Sequence, residues 1–262
     1  MATSRGRDLN VHLRNLGINT RVVVRPGRKL GELTTEASNI VKSFDSSNKI
    51  AHVYFLAGYT DLTIFEKKGR YQEVVFPDTP SEATERLKEE IDKSATQILA
   101  IGAIPCFCTI IPGNIKTWNY LRKSQHKTTS LKHSDSYSKW QQNLEEAIIQ
   151  SNRVIIEQNI KNNMQTPKTH ETVISIRKKG KYRFQYGKLT KDGIHPSEHT
   201  KSAIAKIISK AISQNRKLLT TTKKPTNVQN LTKSHSTLSS PPRCALDSDS
   251  EIDSPKRSWK AY

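Results

Sequence analysis

The sequence predicts an α/β domain, a mostly parallel sheet sandwiched between two layers of helices, followed by a disordered C-terminal tail. Three observations carry this. Short runs rich in β-branched residues alternate with segments whose apolar residues recur every three or four positions, the pattern of strands and helices taking turns. Two of the runs, residues 50–57 and 103–111, are apolar almost throughout, as strands buried on both faces are. Beyond Asn215 the periodicity stops, and Thr, Ser, Lys, Asn and Pro take over. The 262 residues therefore divide into a domain over 1–214 and a basic, Ser/Thr/Pro-rich tail over 215–262.

The elements follow in order. Arg21-Val22-Val23-Val24-Arg25 is a strand stopped by the turn Pro26-Gly27. Leu33, Ala37, Ile40, Val41 and Phe44 mark the next helix. The run 50–57 ends at Gly58; a less regular stretch follows, with an edge strand over 73–76. A helix opens at Ser81, with Glu82 and Glu85 in its first turn and Ala83, Leu87, Ile91, Ala95 and Ile98 as one stripe. The run 103–111 is closed by Pro112-Gly113-Asn114 and followed by a polar segment over 124–138. Trp140, Leu144, Ala147, Ile148, Ser151 and Ile155 mark a helix to about Asn162. Residues 173–176 and 182–186 form a hairpin around Arg177-Lys178-Lys179-Gly180-Lys181. The last helix spans 198–213.

Composition narrows the function classes. No apolar run approaches the roughly 18 residues of a membrane span, and MATSRGRDLN has no hydrophobic signal core, so the expectation is a cytoplasmic or nuclear protein. Cys106 and Cys108 sit inside an apolar strand and are expected as buried thiols; with Cys244 they make no disulfide framework or metal motif. His126, His133 and His170 lie in polar segments without metal-ligand spacing, so solvated side chains and no metal are expected. The net charge of +19 is the outstanding feature. From Asn215 onward nine basic residues face four acidic ones, so most of the excess belongs to the domain. Such a field favours nucleic acid or another polyanion by counterion release. In the tail, Ser240-Pro241, Ser254-Pro255 and the acidic run 247–251 have the form of phosphorylation sites, which would lower the charge of a basic arm.

Three places fall where an α/β sheet puts its active site, at or beyond the carboxyl ends of strands: Gly27, Gly58-Tyr59-Thr60-Asp61, and Asp192-Gly193-Ile194-His195 ahead of the final helix. With Thr3-Ser4-Arg5-Gly6-Arg7-Asp8-Leu9 near the N-terminus, their order resembles the four blocks of SGNH (GDSL-type) hydrolases. The D-x-x-H match is complete at Asp192 and His195. Gly27 stands at the second block, Thr60 where the third carries Asn, and Ser4 at the nucleophile, with Thr3 in place of Asp. The resemblance covers about residues 3–214. It implies a flavodoxin-like three-layer α/β/α fold without a metal or organic cofactor. Relatives of this kind also occur in mobile genetic elements and large DNA viruses.

The resemblance also implies roles. A serine hydroxyl becomes a nucleophile when a base takes its proton, here His195, with Asp192 fixing the imidazole. The oxyanion would meet the backbone N–H groups of Ser4 and Gly27 and a side-chain donor at Thr60, whose single hydroxyl replaces an amide. Read without the resemblance, Gly27 is a turn glycine, Asp61 caps the following segment, and Ser4 belongs to a frayed terminus. In this fold a strand lies mid-sheet ahead of the serine, and none is readable here. The N-terminus is truncated, the sheet has rearranged, or the chain is a degenerate relative. Two functions follow: an esterase acting on an acyl ester, or a non-catalytic module of the same fold that binds nucleic acid or another polyanion.

Overall fold

The computed structural model describes residues 1–44, 50–125, 134–177 and 180–222. Its helices are α1 (Leu9–Asn15), α2 (Leu30–Lys42), α3 (Tyr59–Leu62), α4 (Pro80–Leu99), α5 (Ile115–Gln125), α6 (Ser134–Lys161) and α7 (Glu198–Thr222). The strands are β1 (His52–Phe55), β2 (Ile64–Lys68), β3 (Tyr71–Val75), β4 (Ile104–Phe107), β5 (Ile174–Ile176) and β6 (Tyr182–Phe184).

The two apolar runs make the centre. β1 and β4 pair in parallel, His52 opposite Ile104 and Phe55 opposite Phe107. Successive side chains of a strand point to opposite faces, and the core divides accordingly. Val53, Phe55 and Phe107 pack with Leu33, Leu87, Ile91, Leu144 and Ile148, which come from α2, α4 and α6. Leu56 and Cys108 pack with Leu9 and Leu13 of α1 and with Ile204, Ile208 and Ile212 of α7. That is a sheet with a helical layer on each side. Cys106 and Cys108 are buried free thiols; Cys244 and the serines of the tail lie outside the described residues.

No strand of regular length precedes Ser4, yet the middle of the sheet is not open there. Ala2 bridges Val24 on one side and Leu56 on the other, both in parallel. Its N–H donates to Val23 at 2.9 Å and its carbonyl accepts from Arg25 at 2.8 Å, while Leu56 donates to Met1 at 3.0 Å. A few residues thus satisfy the two flanking backbones where they approach the site. Further from the site the same flanks part around a cavity of about 240 Å³ lined by Leu13, Val22, Ile40, Val53 and Ile212.

Side-chain amides close other edges. Asn159 of α6 accepts from the Phe107 N–H at 2.9 Å and donates to the Phe107 carbonyl at 2.7 Å. Asn152, two turns earlier, accepts from Ile110 at 2.6 Å and donates back at 3.3 Å. Each amide stands where a neighbouring strand's peptide group would. Asn119 of α5 treats Val74 alike, at 2.8 and 2.9 Å.

Several expectations change. The helix expected from Ser81 starts at Pro80, because Thr79 caps it and shares a capping box with Glu82. The edge strand over 73–76 is one arm of the β2–β3 hairpin. The segment after Gly113 holds α5, and α6 begins at Ser134, inside the stretch read as a polar segment. The final helix does not stop at Ser213, nor does disorder begin at Asn215. Asn215 is fully buried, accepting from the Gln165 N–H at 2.6 Å and donating to the Tyr54 hydroxyl at 2.9 Å. A polar anchor extends α7 where apolar spacing gives no sign of it. Among the described residues no helix is long and apolar enough to cross a membrane.

Candidate active site

The register of the short N-terminal pairing sets the site. Ala2, Val24 and Leu56 lie side by side, so Ser4, Gly27 and Gly58 all follow on the carboxyl edge of the sheet, where such folds bind their ligands. Ser4 opens a 3-10 turn, Ser4–Gly6. As the turn's first residue it keeps its N–H outside the turn's own hydrogen bonds.

Across from it, residues 190–195 form a loop tied to itself: the Thr190 N–H donates to His195 at 2.7 Å and the Gly193 N–H to Thr190 at 2.9 Å. Gly193 has φ 75°, and a Cβ there would lie 2.7 Å from the Thr117 side chain. Only glycine lets α5 approach so closely; the Asn114 N–H uses this approach to donate to the Gly193 carbonyl at 2.7 Å. The loop delivers its ionisable pair to the serine. His195 Nδ1 is 2.6 Å from Asp192 Oδ2, and His195 Nε2 is 3.1 Å from Ser4 Oγ. Partial burial works to raise the Asp192 carboxyl. The His195 N–H, the Thr190 hydroxyl, the His195 ring and the Ile194 N–H outweigh it and hold the group well below the usual carboxylate range. Asp192 is thus an ionised acceptor at neutral pH. It draws the imidazole proton to Nδ1 and leaves the Nε2 lone pair facing Ser4.

Gly27 occupies the exposed turn after Val24 with φ 73°, and nothing stands within 4 Å of where its Cβ would be. Its backbone conformation, not a close approach, calls for glycine. The Thr60 hydroxyl donates to the Arg28 carbonyl at 2.7 Å, so its single hydrogen is committed to holding the second and third blocks together. Asp61 does likewise, accepting from the Leu30 N–H at 2.9 Å at the start of α2. Burial pushes the Asp61 carboxyl up to about 6.

Other side chains complete the surroundings. Trp118 of α5 lies 6.5 Å from the His195 ring, with Arg122 stacked over it at 4.2 Å and Phe65 edge-on at 6.3 Å. Arg5 is buried beside Ser4, 3.7 Å over the Tyr59 ring. Neither Trp118 nor Arg5 stands out in the sequence: one of two aromatics in a basic segment and one arginine among many give no periodic signal. His170 differs from expectation, being half-buried with Nδ1 2.8 Å from the Thr109 hydroxyl; burial lowers its pKa. His126, His133, Lys178 and Lys179 lie outside the described residues. Among the described residues no cluster of three or more His, Cys, Asp or Glu side chains could hold a metal ion.

Comparison with known proteins adds the following. No protein-family profile matches the sequence, and no curated protein matches it. Among solved structures it is similar to a protein of Desulfitobacterium hafniense, described as lipolytic and of the G-D-S-L family, at 11% identity and a TM-score of 0.49, over 80% of this chain and 97% of that one. It is also similar to a GDSL-like lipase of Bacteroides thetaiotaomicron at 12% identity and a TM-score of 0.46, over 84% and 86% of the two chains. Likeness at this distance says nothing about chemistry, which rests on the side chains above.

Proposed function

We propose that the chain is a serine ester hydrolase of the SGNH type. The observation that carries this reading is the unbroken chain from Asp192 through His195 to Ser4. In this mechanism His195 Nε2 takes the Ser4 proton as Oγ bonds to the acyl carbon of an ester. Asp192 stabilises the imidazolium, which returns the proton to the leaving alcohol as the carbon–oxygen bond breaks. Water then repeats the sequence and releases the acid. The oxyanion meets the Ser4 N–H and, from the neighbouring turn, that of Gly27. With the Thr60 hydroxyl turned to Arg28, side-chain help at the third block is missing, a deficit that typically costs on the order of 100-fold in rate.

The test is labelling by a fluorophosphonate, located by mass spectrometry, together with hydrolysis of a short-chain nitrophenyl ester. Wild type should be labelled on Ser4, and Ser4→Ala and His195→Ala should each lose at least ~1000-fold in turnover. Label on another residue, or turnover that survives Ser4→Ala, overturns the assignment. The commitment of Thr60 to Arg28 favours a second reading, a non-catalytic module of the same fold binding a polyanion through its basic surface. Absent labelling together with salt-sensitive polynucleotide binding would select it.

A further inference from the structure

Arg5 is a buried cation with no acidic partner in hydrogen-bonding range among the described residues. It is 5% exposed. Its Nη1 donates to the Ile111 carbonyl at the end of the β4 run. The guanidinium lies flat on Tyr59, and Nη2 is buried without a partner, as is the Tyr59 hydroxyl. Leaving a charge in this state is costly, and methionine would fill similar space without that cost. The surroundings are nevertheless shaped to admit it. A Cβ on Gly113 would fall 2.6 Å from Arg5 Nη2 and 2.7 Å from the Tyr59 hydroxyl, so the chain gives up a side chain there to make room. Segments from three parts of the sequence, at Arg5, Tyr59 and Gly113, thus close around one guanidinium placed next to Ser4 in the same 3-10 turn.

We propose that Arg5 is a positioning residue for the Ser4–His195–Asp192 site, clamping the serine's turn to Ile111 and supplying a fixed positive charge beside it. This rests on the esterase reading. Burial lowers the guanidinium to about 10, leaving it charged at neutral pH. A fixed cation in the serine's turn favours negative charge arriving on the substrate oxygen, the task left unfilled by Thr60. The other groups around Arg5 and the site are Asp192 of the His195 loop, Tyr59 and Tyr186 near Arg5, and Arg122 stacked on Trp118. At the outer edge the exposed Asp8 and Glu198 and the partly buried His12 and Lys201 tie α1 to α7. Within this set Arg5 is the buried cation in the serine's own turn.

The experiment is fluorophosphonate labelling and hydrolysis of a short-chain nitrophenyl ester by wild type, Arg5→Met and Arg5→Lys, with kcat and KM read separately and thermal unfolding alongside. Arg5→Met should slow labelling and lower kcat about tenfold or more with KM little changed. Arg5→Lys, which keeps the charge, should recover much of that rate. An unchanged kcat in Arg5→Met, whatever its melting temperature, overturns the proposal. Should Arg5→Met fail to fold, Gly113→Ala keeps the charge and pushes it aside; a lowered kcat supports the proposal and an unchanged one overturns it. A wild type that neither labels nor turns over sinks the esterase reading and this role of Arg5 with it, whereas an active wild type matched by Arg5→Met sinks the role of Arg5 alone.

Discussion

Two aspartates show how neighbours a few ångströms away set opposite behaviour in one residue type. Asp192 accepts from two backbone N–H groups, a hydroxyl and an imidazole, and its pKa is depressed. Asp61 has one backbone donor and a buried second oxygen with no partner, and burial lifts it to about 6. Their linkage to folding therefore has opposite sign. The stability Asp192 contributes is present above the ordinary carboxylate pKa near ~4 and is lost as pH falls below it. Asp61 costs stability above its folded value, and the cost is relieved as pH falls from about 6 towards ~4. Asp61→Asn, which keeps the acceptor for Leu30, should be more stable than wild type by about 1–2 kcal/mol at pH 7 and show little gain at pH 4. Urea denaturation at the two pH values checks this; equal gains at both would mean that burial of the charge is not the cause. At this scale the sequence is legible where the pattern is local. Asp192 and His195 lie three residues apart in one short loop and can be read together. Ser4 is met by them only through sheet register, and Arg5 and Trp118 only through packing.

Among the elements, the buried amides are the parts most exposed to test. Asn159 holds both peptide groups of Phe107 and also donates to the Thr166 hydroxyl at 3.1 Å, all inside the core. Asn159→Leu is close in size yet strands an N–H and a carbonyl, which should cost about 2–4 kcal/mol; a loss below about 0.5 kcal/mol in equilibrium unfolding would show that water or a backbone shift replaces the amide. Gly193→Ala tests the loop that carries His195. It meets Thr117 and a positive φ together, so it should destabilise by about 2 kcal/mol or more and slow Ser4 labelling. The alternative outcome, full labelling at lowered stability, would mean that the loop moves as a unit without tilting His195. Elements read well from sequence wherever apolar spacing decides them, as in β1, β4 and the stripe of α4. α5 and the first turns of α6 escape because they are rich in Lys and Ser and their anchors include Asn119 and Gln141. The end of α7 escapes because its anchor is Asn215.

For the whole molecule the governing quantity is charge. At +19 the chain repels itself, and the ion pairs on its surface include the exposed pairs Arg28 with Glu32, Lys88 with Glu85 and Lys93 with Glu89, and the half-exposed Arg25 with Glu36 and Arg86 with Asp78. Exposed pairs contribute at most about 1 kcal/mol each and weaken with salt. Net repulsion acts between charges over the whole surface, and it too is screened once the Debye length falls from about 30 Å at 0.01 M to about 8 Å at 0.15 M. The two effects oppose each other, and their balance is measurable. With so large an excess of one sign, relief of repulsion should win, and the melting temperature should rise by a few degrees as NaCl goes from about 0.01 to 0.15 M. A polyanion such as heparin, added at constant ionic strength, should raise it further if the basic surface binds phosphate-like groups, because a ligand held by the folded state alone stabilises that state. A melting temperature that falls with NaCl would place the local pairs in control. One that rises with NaCl but ignores heparin would leave the charge as a solubility feature with no polyanion partner.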